Sequence, residues 1–175
     1  MKCTSIYIFI ITAVFLLSGC DREPKAVMKV ETEPTIKGVW KIEQIETVGG
    51  PEEGSFVPQA GIIIFTEKYY SSVRDTAVDP RPLWKTASPS AVEMAESLST
   101  FGADSGPYEL KGSTVMFRPS VCDMPNIMSG GSVRFDYQLE GDALTLVLKP
   151  GGLVIPGIKV NTDYTEERYR LRRLE

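Results

Sequence analysis

The sequence predicts an all-β fold: an eight-stranded antiparallel up-and-down barrel with one short helix, preceded by a signal peptide and a disordered tether. From residue 36 onward, segments typical of β-strands follow one another and are mostly joined by short turns. The chain of 175 residues is long enough for one domain with a substantial core. Because eight antiparallel strands leave no exposed edge when their sheet closes, a barrel is favoured. Composition alone leaves a β-sandwich open.

The N-terminal segment has the layout of a secretory signal peptide. Lys2 supplies a positive charge, and residues 6–17 are apolar apart from Tyr7 and Thr12. As a helix this run spans about 18 Å, less than the hydrocarbon core of about 30 Å, so a plain transmembrane anchor is not expected. The run ends in Leu-Ser-Gly-Cys at residues 17–20.

This ending resembles the lipobox of bacterial lipoprotein precursors. The resemblance implies diacylglycerol on the Cys20 sulfur, cleavage before Cys20 and acylation of the new N-terminus, with palmitate as an expected acyl chain. Two or three such chains hold a protein stably on a membrane. We therefore expect a protein of the bacterial cell envelope. Asp21, the next residue, resembles an inner-membrane retention signal if enteric rules apply, and inner versus outer membrane stays open.

The predicted domain organisation has three parts. Residues 1–19 are the signal peptide, residues 20–35 are the lipidated N-terminus and flexible tether, and residues 36–175 are the barrel. The tether is rich in Glu, Lys and Pro and buries little. Once Cys3 leaves with the signal and Cys20 carries lipid, only Cys122 remains, so no disulfide is expected.

Composition excludes several classes of function. The chain has no histidine, which rules out Ser-His-Asp and Cys-His catalysis and imidazole metal sites. Nineteen basic against 23 acidic residues make a poor nucleic-acid binder. We expect no nucleic acid partner, no metal and no cofactor, and we expect that the protein is not an enzyme. Cys122 is expected to be a partly buried loop residue.

Each predicted strand has its own pattern. The first has Trp40 and Ile42 on one face and Val39 and Ile45 on the other. The second has three consecutive isoleucines, which suggests burial on both faces or a place inside a closed sheet. The predicted strands cover residues 39–47, 61–66, 69–74, 108–111, 113–118, 133–140, 144–148 and 168–172.

The later strands alternate cleanly. In residues 133–140 the apolar side chains share one face. In residues 168–172, Tyr169 and Leu171 share one face and the three arginines share the other. One helix is predicted to begin with a Ser90–Glu93 capping box and to stop at Gly102. Its apolar stripe is expected to cover an opening or an edge of the sheet, and consists of Val92, Ala95 and Leu98. Residues 76–88 and 149–164 are predicted as long loops.

The Gly-Val-Trp start of the first strand, residues 38–40, resembles the G-x-W motif of lipocalins. The ordered motifs at residues 61–73, 101–103, 106–115 and 134–146 are similar to the bacterial lipocalin-like domain family, over residues 36–174 in all. The resemblance implies an up-and-down barrel whose interior binds a small apolar molecule. It implies structural roles for Gly38 and Trp40 and a late arginine packed on Trp40. The candidates for that contact are Arg168, Arg170 and Arg172, with Arg170 as the working assignment.

Two functions stay open from the sequence. In the first, a membrane-tethered carrier or sensor holds a small, apolar molecule in the barrel. In the second, a filled barrel acts through its surface on an envelope protein, as an inhibitor or assembly factor. Arginines at 74, 118 and 134 are candidates to hold a carboxylate or phosphate head group. The residues predicted to bind the ligand are Phe65, Tyr70, Arg74, Phe117, Phe135 and Tyr137.

The lipobox leads to a direct test. We expect Cys20→Ser to release the protein from membranes or to block its processing, because the acyl chains attach to that sulfur. Cys3→Ser, which alters a residue inside the signal peptide, is the control and should fractionate as the wild type does. Membrane fractionation with intact-mass measurement checks both. Unchanged membrane association of Cys20→Ser would contradict the lipoprotein prediction.

Overall fold

The computed structural model describes residues 35–160 and 163–175. The predicted signal peptide, the lipidation site Cys20 and all but the last residue of the predicted tether lie outside these residues. The described strands are β1 Gly38–Val48, β2 Gly54–Phe56, β3 Ala60–Phe65, β4 Tyr69–Asp75, β5 Phe101–Lys111, β6 Thr114–Phe117, β7 Val121–Cys122, β8 Ser132–Glu140, β9 Ala143–Val154 and β10 Glu166–Arg173. The described helices are α1 Ala91–Ser99 and α2 Pro125–Met128.

Eight of these strands form a closed antiparallel barrel in the order β1-β3-β4-β5-β6-β8-β9-β10, with β10 paired back onto β1. The short β2 adds to β1, and the short β7 pairs with β5. This closure confirms the predicted eight-stranded barrel and excludes the sandwich. Among the described residues, no helix is both long and apolar enough to cross a lipid bilayer.

The largest differences from the predicted strand boundaries are in β5 and β9. β5 begins at Phe101 rather than at residue 108. Its first half contains Gly102, Gly106 and Pro107, and because glycine and proline are uncommon within strands, the sequence pattern there did not predict a strand. β9 runs through to Val154, although a loop was predicted from residue 149. Its register shows the reason: Leu148 pairs with Phe135 and Leu153 pairs with Val133, so residues 149–152 form a wide bulge within the strand.

A smaller bulge in β1 corrects a face assignment. Ile42 pairs with Leu171, and Gln44 pairs with Arg170, so one extra residue lies in β1 between them. The extra residue shifts the alternation of side chains. Ile45 is therefore buried at 2% exposure on the same inner face as Ile42, and not on the opposite face as predicted.

The isoleucine run in β3 alternates strictly. Ile63 and Phe65 are buried at 4% and 2% exposure, whereas Ile62 and Ile64 are 42% and 40% exposed. Of the two interpretations of this run, the strand in a closed sheet holds, and burial on both faces does not. The inner face of β3 supplies the core, and its outer isoleucines remain in contact with solvent.

The two ends of the barrel differ. Short turns at residues 66–68, 112–113 and 141–142 join β3 to β4, β5 to β6 and β8 to β9 at one end, which we call the closed end. The long connections lie at the other end, which we call the open end. They join β1 to β3, β4 to β5 through α1, β6 to β8 through α2, and β9 to β10.

Trp40 fills the closed end. Its side chain has 0% exposure, and the indole N–H donates a hydrogen bond to the Ile36 carbonyl at 2.7 Å. The Arg173 guanidinium lies over the ring, 4.1 Å from the centroid, and donates to the Lys37 carbonyl at 2.6 Å. Gly38 has a φ of 131° and touches the C-terminal backbone so closely that a Cβ would collide with the Glu175 carbonyl. Only glycine fits this crossing.

The cation on Trp40 is thus Arg173, which corrects the working assignment to Arg170. Side chains alternate along β10, so Arg173 shares the inner face with Leu171 and Tyr169. Arg170 lies on the outer wall, 3.4 Å from the Glu46 carboxylate. The clean alternation of residues 168–172 was predicted correctly, but the inner face of this strand continues one arginine further.

Removing the Trp40 side chain should destabilise the barrel strongly. We expect Trp40→Ala to lower the free energy of unfolding by about 3–5 kcal/mol, as for a large aromatic residue deleted from a core. Trp84→Ala is the matched control, because the Trp84 side chain is 51% exposed and its loss should cost about 1 kcal/mol or less. Urea denaturation followed by circular dichroism measures both. Equal losses in the two variants would contradict the role of Trp40.

Candidate functional site

The interior of the barrel is filled at the closed end and hollow towards the open end. Trp40, Tyr70 and Leu144 are all at 0–1% exposure in the filled part. Next to them lies a cavity of about 190 Å³. The apolar residues on its wall include Ile42, Ile63, Phe117, Phe135, Leu146 and Leu148. The barrel strands therefore enclose a cavity, and this cavity lies towards the open end.

A second, more open space of about 350 Å³ lies towards the loops, and we call it the mouth. It shares four lining residues with the cavity, so the two spaces adjoin. Its other lining residues include Thr100 and Phe101, at the junction of α1 and β5. The shared residues are Arg74, Asp123, Glu167 and Tyr169. Three of these four have ionisable acidic or basic side chains and the fourth has a phenol, so the boundary between cavity and mouth is polar.

Three of the six predicted ligand-binding residues line the cavity: Arg74, Phe117 and Phe135. Phe65 and Tyr70 lie in the packed core beneath it, at 2% and 1% exposure. They support the cavity wall instead, because both rings contact Phe117, with Tyr70 stacked on it at a centroid distance of 4.0 Å.

The remaining candidates lie elsewhere. Tyr137 packs against the core, partly buried and outside the cavity lining. Arg118 faces outwards, 3.5 Å from the Glu109 carboxylate, and Arg134 is exposed on β8. Of the arginines considered for a head group, Arg74 is thus the one that the fold brings to the cavity.

Arg74 occupies a space that glycine creates. Its neighbours across the sheet are Gly61 on β3 and Gly102 on β5. A Cβ built on Gly102 would lie 2.9 Å from the Arg74 Cζ atom, so the guanidinium rests directly against the backbone of β5. The predicted role of Gly102 as the helix stop is wrong, since α1 ends at Ser99 with Thr100 as its C-cap.

The Arg74 guanidinium makes two long polar contacts within the barrel. Its Nη1 atom lies 3.4 Å from the Asp104 carboxylate and 3.5 Å from the Ser72 hydroxyl. Burial by itself lowers the pKa of Arg74, but the acidic groups around it, with Tyr169 and Asp104 foremost, raise that pKa above its ordinary value. Arg74 is therefore charged at neutral pH, and within the part of the chain that the structure describes its side-chain hydrogen bonds are these two long contacts.

Glu167 and Tyr169 complete the polar boundary from β10. The Tyr169 hydroxyl donates a hydrogen bond of 2.9 Å to the Glu167 carboxylate. Burial raises the pKa of Glu167, and it raises the pKa of Asp104 as well. Both carboxylates are thus held where their charged forms are less favourable than in water.

Cys122 lines the cavity as a protonated thiol. It lies in β7 and is partly buried. The Sγ atom donates to the Asp123 carboxylate at 3.2 Å, and burial raises the pKa of the thiol. A thiol of raised pKa is a poor nucleophile. Residues 35–160 and 163–175 contain no group of three or more Cys, Asp or Glu side chains arranged to hold a metal ion.

The sequence analysis missed Asp104 and Glu167. Asp104 lies in the first half of β5, which was not predicted as a strand because of its glycines and proline. Glu167 follows the inward alternation of Tyr169 and Leu171, so extending the last predicted strand by one residue towards the N-terminus would have placed it inside. That alternation was the available signal.

The helix α1 turns its apolar side away from the barrel. The predicted capping box between Ser90 and Glu93 is present. Val92 and Leu98, however, are 65% and 63% exposed. The buried residue is Ser97, whose hydroxyl accepts a hydrogen bond of 2.8 Å from the Trp84 indole. Only the C-terminal end of the helix reaches the mouth, and the apolar stripe covers no edge of the sheet.

Comparisons of this chain with models of protein families, with curated proteins and with solved structures find no match. The closed eight-stranded barrel, with its tryptophan and arginine at one end and its long loops at the other, is compatible with a lipocalin-like fold.

The buried Glu167 carboxylate should make stability depend on pH. Its folded-state pKa is raised above the ordinary value of 4.5, so the folded protein binds more protons than the unfolded chain as pH rises past that value. Stability from this group is therefore present at low pH and is lost as pH rises through the folded pKa. We expect Glu167→Gln to gain stability relative to the wild type between pH 4 and pH 7.5.

Urea midpoints at the two pH values measure this gain. Glu166→Gln controls for the loss of one negative charge, because Glu166 lies on the outer wall in an ion pair with Arg168. The gain in stability of Glu167→Gln that remains after the change in Glu166→Gln is subtracted is due to the location of Glu167 inside the barrel. A difference between Glu167→Gln and the wild type that stays constant or shrinks with rising pH would contradict the prediction.

Proposed function

We propose that this protein is an envelope lipoprotein, anchored through Cys20, whose barrel binds a small molecule with an apolar body and a polar head group. The anchoring part rests on the Leu-Ser-Gly-Cys sequence at residues 17–20, and one observation carries the binding part: a cavity of about 190 Å³ has apolar walls and a polar boundary at its mouth. Binding sites for small molecules are typically concave and apolar, with a few placed polar groups.

The size of the cavity limits the ligand. An engineered protein cavity of about 150 Å³ binds benzene. The cavity here accommodates a body of similar or slightly larger size, whereas drug-sized ligands take about 300–1,000 Å³. A longer molecule would have to extend into the mouth, where Arg74, Glu167 and Tyr169 would meet its polar end.

The polar boundary supports binding over simple packing. Ionised side chains inside a barrel cost desolvation free energy, and apolar residues of similar volume are often neutral or stabilising in their place. Arg74, Asp104 and Glu167 are the side chains that carry this cost here. Residues that lower stability in this way are typical of functional sites.

The position of residue 35, the first described residue, is compatible with an anchored carrier. Thr35 is the first described residue, and its carbonyl accepts a hydrogen bond of 2.6 Å from Arg173 at the closed end. Residue 35 therefore lies at the end of the barrel opposite the mouth. A ligand can reach the cavity through the mouth without passing residue 35.

A second function, docking of an envelope protein at the open end, is favoured by one observation. Large apolar side chains are exposed on the connection between β4 and β5, among them Val78 at 73%, Leu83 at 93% and Val92 at 65%. Exposed apolar clusters mark interaction sites in many soluble proteins. Ligand binding and docking of a partner protein are not mutually exclusive functions of this barrel.

The decisive experiment is native mass spectrometry of the full chain, purified gently from its own host, with organic extraction of bound molecules. We expect one small molecule per chain. Val133→Phe, which places a larger side chain in the cavity lining, should lose at least about nine-tenths of it. Val73→Phe makes the same change on the outer wall, where the side chain is 45% exposed, and should retain it.

A wild-type chain that carries no small molecule, and that binds none in a screen of small apolar compounds, would contradict the carrier function and favour the docking function. Equal retention by both phenylalanine variants would place the molecule outside the cavity.

A further inference from the structure

The charges around the cavity and its mouth are unbalanced. Among the described lining residues, Arg74 is the one basic side chain, and it faces the carboxylates of Asp104, Asp123 and Glu167. Tyr169 also lines both spaces and is neutral at pH 7, and burial raises its pKa further. The lining of the site therefore holds three carboxyl groups against one guanidinium.

The pairing of these groups identifies the carboxylate that is left over. Asp104 lies 3.4 Å from Arg74, and Asp123 accepts from the Cys122 thiol near the solvent. Glu167 accepts a hydrogen bond from Tyr169 and forms no ion pair within the described part of the chain. It lines both the cavity and the mouth, so a ligand in either space can reach it.

A second observation points the same way. The Tyr70 hydroxyl is fully buried beneath the cavity, at 1% exposure of the residue, and its acidic neighbour is Asp104. Burial raises its pKa, and the nearby Asp104 carboxylate at the cavity raises it further. Asp104 therefore has Tyr70 and Arg74 as polar neighbours, whereas the hydrogen bond that Glu167 accepts among the described residues comes from Tyr169.

From this arrangement we infer that the ligand's head group is cationic, a primary amine or a similar organic ammonium ion, and that Glu167 receives it. The inference rests on the proposed binding function. An ammonium group brings three donors and no acceptor, which suits the Glu167 carboxylate at the boundary of the two spaces. A carboxylate or phosphate head, the expectation from Arg74 alone, would add a further negative charge among three carboxylates. The apolar body of the ligand lies against Phe117 and Phe135.

A matched series of ligands tests the charge. Benzylamine, benzyl alcohol and benzoate share an aromatic body close to the size of the cavity and differ in the charge of the head group. The full-length protein is titrated with each, and binding is followed by saturation-transfer NMR. We expect benzylamine to bind about tenfold more tightly than benzyl alcohol, and benzoate to bind most weakly, as for a hydrogen bond to a buried charge.

Two variants locate the effect. Glu167→Gln keeps the shape of the side chain and should remove most of the tenfold preference for the amine, with little change for the alcohol. Glu166→Gln removes the neighbouring carboxylate from the outer wall and should keep the preference. Both variants should unfold cooperatively in urea, which separates a loss of charge from a loss of fold.

The outcomes separate this inference from the proposed function. Tightest binding of benzoate, equal binding of the three, or an amine preference that survives in Glu167→Gln would each overturn the cationic head group while leaving the binding function intact. Failure of all three to bind, together with a host-purified chain that carries no molecule, would overturn both.

Discussion

The seam between β1 and β10 is the contact on which the whole molecule depends, because it converts a sheet into a barrel. Trp40 and Arg173 lie opposite each other on this seam, and the ring and the guanidinium stack at 4.1 Å. Trp40, the largest side chain of the core, is fully buried in this stack. The Arg173 guanidinium also donates hydrogen bonds to the backbone carbonyls of Lys37 and Thr35, just before β1. With the seam closed, the inward side chains of every strand share one interior. The cavity exists only because that interior is enclosed.

The two halves of the barrel interior differ: the half at the closed end is filled and the half at the open end is hollow. Near the seam, large side chains such as Trp40 and Leu144 fill the space completely. Nearer the open end, smaller or polar side chains leave a cavity, and the charges of Arg74 and Glu167 are held where solvation is incomplete. Stability comes from the filled half, so the hollow half is free to hold groups that a purely structural core would exclude. This division explains how a chain with no disulfide among its described residues can keep charged groups inside.

Much of the fold was predictable because strands carry a strong local signal. The alternation of residues 133–140 and of residues 168–172 depends only on neighbouring side chains, and both strands were predicted with the correct inner face. Errors arose where the local signal is interrupted. The bulge before Gln44 reversed the face of Ile45, and the glycines of β5 hid the half of the strand that carries Asp104. A bulge reflects the partner strand, which a single segment does not reveal.

The sequence by itself determined the strand composition, the short turns and the capped helix, since each follows from residues close together in the chain. Only the tertiary structure decided which arginine packs on Trp40, which aromatic residues line the cavity and which fill the core. It also decided that Arg74, Asp104 and Glu167, from three different strands, meet at one boundary. Those outcomes depend on the register of strands far apart in sequence, and register is set when the barrel closes.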